Sequence, residues 1–130
     1  AHQNKQIIMI SNFPLSVGPG QPIFLHELLR YYNIESYFDH VIISGELELA
    51  KPHQALFQKA LTMTQVEPEE MVHIGDDFRA DVVGAHNMGM EAIWIQHPHH
   101  HTERINSVEP TKMFTRIHEL YQWLHNHWSD

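Results

Sequence analysis

The stretch that most constrains the fold runs from Met71 to Ile95 and reads MVHIGDDFRADVVGAHNMGMEAIWI. A short apolar run, Met71, Val72 and Ile74, stops at Gly75-Asp76-Asp77. A helical pattern starts at once, with Phe78, Val82 and Ala85 at spacings of four and three, and it ends at Gly89. A second apolar run, Ala92 to Ile95, follows directly. This spacing predicts a strand–loop–helix–strand unit whose carboxylates gather where the first strand ends. Ligands of open α/β sheets bind at that edge. Asp76, Asp77 and Asp81 lie within a few residues of each other, and neighbouring carboxylates repel unless a cation or protons separate them. A hard divalent cation such as magnesium, which prefers oxygen ligands, is one answer. The other is a helix cap, a role that Asp76 or Asp77 could fill.

The rest of the chain repeats the alternation. Ile7 to Ile10 reads as a buried strand that ends in Ser11-Asn12. A Gly- and Pro-rich loop leads to a helix begun by Pro22, with Leu25, Leu28, Leu29 and Tyr32 on one face. Val41 to Ile43 is the next strand. Pro52 then opens a helix with Leu56, Ala60 and Met63 as its inner stripe. Pro110 precedes a last helix whose stripe is Met113, Ile117, Leu120, Leu124 and Trp128. Alternating strands and helices imply a parallel sheet covered on both faces, a three-layer α/β/α Rossmann-like class. No repeat or low-complexity linker divides the 130 residues, which are read as a single domain.

Composition excludes several functions. A formal charge of -8 argues against nucleic acid or an anionic membrane surface as partner. No apolar run approaches the ~20 residues that span a bilayer. The absence of cysteine removes thiolate metal sites and fits a reducing cytoplasm. His97-Pro-His-His-His101 reads as a solvated loop, because adjacent histidines in an extended segment cannot all reach one ion. His73 reads as a packed core histidine. Tyr121, Trp123 and Trp128 read as core or edge packing.

Three small signals fall at equivalent places. Ser11-Asn12 closes the first strand, Lys51-Pro52 opens the helix after the second, and Gly75-Asp76-Asp77 closes the third. A hydroxyl, a cation and a carboxylate cluster at strand ends suit a magnesium-bound phosphate. The order resembles the haloacid dehalogenase-like hydrolase superfamily over about the whole chain. IIMISN looks like that family's second motif, AKP its third and HIGDDFRAD its fourth. The resemblance implies that Ser11 donates to a phosphate oxygen beside the Asn12 backbone, and that Lys51 neutralises phosphate charge and steadies the nucleophile. It implies that Asp76 binds magnesium directly, and that Asp77 or Asp81 holds the metal's waters or the lysine. It favours the phosphatase branch, acting on a small phosphorylated metabolite through an aspartyl-phosphate.

One departure stands beside the match. The family's first motif, DxDx(T/V), supplies the nucleophile and the general acid/base, and no DxD occurs in this sequence. The chain is therefore expected to be the C-terminal part of a longer core domain and inactive alone. The alternative is a non-catalytic binding or interaction module on a degenerate fold. Only Ser44 to Ala50 separate Ile43 from Lys51, which leaves no room there for a cap domain. In the family's strand order, 3-2-1-4-5, the missing first strand is central. Two strand pairs then face each other across a gap of twice the usual spacing of ~4.8 Å. Unpaired buried backbone groups cost about 1–3 kcal/mol apiece. Hence Ile7–Ile10 is expected to pair directly with Met71–Ile74, or a missing N-terminal segment or a second copy fills the slot.

Overall fold

The computed structural model describes residues 6, 8–11, 29–43, 51, 53–96 and 107–128. The chain divides into two compact units, Ala1–Thr64 and Gln65–Asp130. Asn12, Pro22, Leu25, Leu28, Pro52 and the 97–101 histidine run fall outside the described residues.

In the first unit β1 (Ile8–Ser11) pairs in parallel with β2 (His40–Ile43), Ile8 opposite His40 and Ser11 opposite Ile43. Residues 29–31 are helical, with Leu29 only 4% exposed, while Tyr32 just after them is exposed rather than inward. Asn33 takes a left-handed φ of 58°. The Asn33 and Ile34 amides then turn back onto the carbonyls of Arg30 and Leu29, which satisfies the helix end. Helix α1 (Gln54–Thr64) buries Leu56, Phe57, Ala60, Leu61 and Thr64. The imidazole of His53 accepts from the Ala55 amide at 3.1 Å and caps the helix start. Met63, expected inside, faces solvent. From Ala60 the stripe steps by four to Thr64, whose buried hydroxyl donates to the Ala60 carbonyl at 2.8 Å.

Gln65 follows with φ 59°, a left-handed conformation that costs an L side chain about 1–2 kcal/mol. Gln65→Gly should therefore raise stability by about 0.5–1 kcal/mol, after allowing for glycine's freer unfolded chain. Urea unfolding of the two proteins reads this directly, and a lower midpoint for the glycine variant would contradict it.

In the second unit β3 (Val72–Gly75), β4 (Glu91–Ile95) and β5 (Lys112–Phe114) form a parallel sheet in that order. Strand β4 is central and has Ala92, Ile93 and Trp94 buried in succession. That is the continuous apolar run of a strand covered on both faces. A π-helical segment (Phe78–Val83) and helix α2 (Gly84–Asn87) link β3 to β4. Helix α3 (Ile117–Trp128) follows β5.

The α/β class and parallel pairing agree with the sequence reading, and each strand is displaced by a single residue or less at either end. Two points differ. A fifth strand occupies Lys112–Phe114, where the pattern suggested the final helix, so Met113 lies in β5. Among the described side chains of α3 Leu120 is the buried one, with Ile117 68% and Tyr121 66% exposed. The second point is the sheet. β1 takes β2 as its neighbour and β3 takes β4, and among the described residues no ladder joins β1 to β3. The expected direct pairing of Ile7–Ile10 with Met71–Ile74 is not made. Among the described residues β1 and β3 each have one edge satisfied inside their own unit, and short strands tolerate a single open edge.

Candidate functional site

The site is built where β3 ends. Alternation along the strand puts His73 and Gly75 on one face. Asp81 meets both. Its carboxylate, buried with the residue only 3% exposed, sits 2.8 Å from His73 Nε2 and accepts the Asp77 amide at 3.1 Å. The imidazole link is an ion pair whenever the ring is protonated and a hydrogen bond otherwise. Gly75 is a glycine for lack of room, because a Cβ there would collide with the Asp81 carboxylate.

Asp77 starts the helix. Its side chain accepts from the Ala80 amide at 2.8 Å, and its carbonyl accepts from the Asp81 amide at 2.8 Å. Of the two residues that could cap, Asp77 is the one that does. Asp76 is left at the bend. Its carbonyl accepts from the Trp94 indole at 2.9 Å, while its carboxylate is exposed and has no hydrogen-bond partner among the described residues. Phe78, fully buried, packs edge-on against Trp94 with centroids 4.9 Å apart and fixes the indole. At the far end Gly89, φ 79°, and Met90 return their amides to His86 and Ala85 and send the chain into β4.

The three carboxylates therefore have three different duties. Asp81 is a buried brace, Asp77 a cap, and Asp76 the group offered to solvent. Among the described residues no three His, Asp or Glu side chains converge as a ready metal cluster. The carboxylate that could meet a hard divalent cation here is that of Asp76, with water filling most of the cation's coordination. Ser11 is the last residue of β1, and Lys51 is half-buried in a turn shortly before α1. These two belong to the first unit, and the carboxylates to the second. The role of His73 was not visible as chemistry in the sequence. Its only signal was a polar residue two before Gly75 on the same strand face.

A haloacid dehalogenase-like hydrolase family model matches residues 21–95, more than half of the chain. The chain belongs to this family. It is 37% identical over 81 residues to a glyceraldehyde 3-phosphate phosphatase of Pyrococcus furiosus, covering 62% of this chain and 34% of that protein. It is 32% identical over 100 residues to a pyrimidine 5′-nucleotidase of Escherichia coli, covering 76% and 44%. Among solved structures, a haloacid dehalogenase-like phosphatase from Thermococcus onnurineus superposes with a TM-score of 0.65 at 26% identity. That match covers 88% of this chain and 50% of the other. A 2-haloacid dehalogenase from Pseudomonas syringae reaches 0.72 at 24% identity, covering 96% and 48%, and shows the shared fold. The chain thus spans between a third and a half of these curated relatives. No described helix is long and apolar enough to cross a membrane.

Proposed function

We propose that this haloacid dehalogenase-like chain forms part of a magnesium-dependent phosphatase core that acts on small phosphorylated metabolites. The observation that carries the reading is Asp76, an exposed carboxylate at the carboxyl end of β3 on a loop tied down by its neighbours. The phosphatase and nucleotidase relatives support it. Asp76 would hold the cation directly. Bound there, a divalent cation neutralises charge on a phosphate and on the transition state. Asp77 keeps the helix start in place, and Asp81 keeps Asp77. By the family resemblance, Lys51 and Ser11, which lie in the first unit, would supply a further positive charge and a hydroxyl for the phosphate. The nucleophilic carboxylate that would form the aspartyl-phosphate has no DxD counterpart in the sequence, so this reading takes it from outside these residues.

The test is a magnetic resonance titration of the isotope-labelled chain with magnesium, then with inorganic phosphate. Asp76 should respond to millimolar magnesium, and Ser11 and Lys51 should shift once phosphate is added. Asp76→Asn should abolish the magnesium response. No turnover of a phosphate ester should be measurable, because positioned nucleophiles and general acids each supply orders of magnitude in rate. A magnesium response that survives Asp76→Asn would overturn the proposal, as would phosphate responses confined to residues other than Ser11 and Lys51.

A further inference from the structure

We infer that His73 is a positioning residue for the Gly75–Asp77 loop, acting through Asp81. The Asp77 main chain is gripped on both sides by one residue, its amide by the Asp81 carboxylate and its carbonyl by the Asp81 amide. A carboxylate can hold a loop only if its own orientation is fixed. His73 does this from the strand: its side chain is 12% exposed against 4% for Asp81, and the two meet at 2.8 Å. A buried carboxylate is costly unless it is paired and hydrogen-bonded, so the imidazole also removes the penalty of keeping Asp81 inside. The glycine completes the fit, since its missing Cβ is the space the carboxylate fills. With Asp77 gripped and the Asp76 carbonyl tied to Trp94, the backbone that carries the Asp76 carboxylate is held in one place before any ligand arrives. That preorganisation lowers the ordering cost of binding. The inference rests on the proposed function only in treating Asp76 as the ligand to a cation. The loop geometry stands independently of it.

The experiment measures amide hydrogen exchange at Asp77 and Ile93, together with magnesium titration, in the full chain and in variants. In His73→Leu the exchange of Asp77 should quicken about tenfold, the loss expected for a hydrogen bond to a charged group, while Ile93 in β4 stays protected. Magnesium affinity should fall alongside it. His73→Gln, whose side-chain amide can donate to Asp81, should restore both. If exchange at Asp77 in His73→Leu stays within about twofold of the parent, the inference is overturned. Should the leucine variant fail to fold, His73→Gln and Asp81→Ala decide. Asp81→Ala must quicken Asp77 exchange and His73→Gln must not, and equal rates in the two would overturn the inference. Asp76→Asn separates the two ideas. It should remove magnesium binding and leave Asp77 exchange as it was. Magnesium binding that survives it would sink the metal reading alone, whereas faster Asp77 exchange in Asp76→Asn would count against the brace.

Discussion

Gly75→Ala is expected to destabilise the chain by about 2–3 kcal/mol, near the upper end of what overpacking costs. An added Cβ has to displace the carboxylate of Asp81, which cannot swing aside freely. One of its oxygens is held by His73 and the other by the Asp77 amide. Moving it breaks those bonds and strands a buried charge, so the collision and the lost pairing act together. Denaturant unfolding of the two proteins measures the difference. The cause can be isolated with a second background. In Asp81→Ala the same glycine change should cost well under 1 kcal/mol, because the obstacle has gone. A Gly75→Ala protein within about 0.5 kcal/mol of the parent would mean that the loop can shift at little cost.

Phe78→Ala should be the most damaging single change to the second unit, at about 3–5 kcal/mol. The ring is fully buried and meets Trp94 edge-on, at an interplanar angle of 76°. Truncation removes transfer free energy, opens a cavity against the central strand and frees the indole that ties down Asp76. Thermal unfolding followed by circular dichroism gives the size of the effect. A loss below about 1 kcal/mol would show that the pocket closes over the missing ring, and that Trp94 does not depend on it.

Where the sequence was a good guide, local pattern and tertiary environment agreed. The run at Ala92 is apolar throughout because a parallel strand is covered on both faces, and such a run needs no further context. Strand ends slipped by a residue because Ser11 and Gly75 still take ladder positions although they are polar or small. β5 was invisible for a related reason. Its three residues include an exposed Lys112 and an exposed Met113, and Pro110 just before them resembles a helix start. Met63 and Thr64 show the limit of periodicity: steps of three and four both fit a helix, and packing chose the polar residue. At the site, the motif Gly75-Asp76-Asp77 with Asp81 was legible as a group. The division of labour within it was not. Which carboxylate caps, which braces and which faces solvent depends on His73 and Trp94, and their contacts bridge residues that the sequence keeps apart.

Trp94 connects the site to something that can be seen from outside. Its indole is buried, rests on Phe78 and ends on the carbonyl of Asp76, whereas Trp123 stacks on His127 in a different element. An indole's emission colour and lifetime follow the polarity around its ring and the fate of its N–H. The backbone position of Asp76 is therefore expected to bear on the ultraviolet emission of Trp94, one of the chain's three tryptophans. The chain carries an optical gauge of its own loop, with no label added.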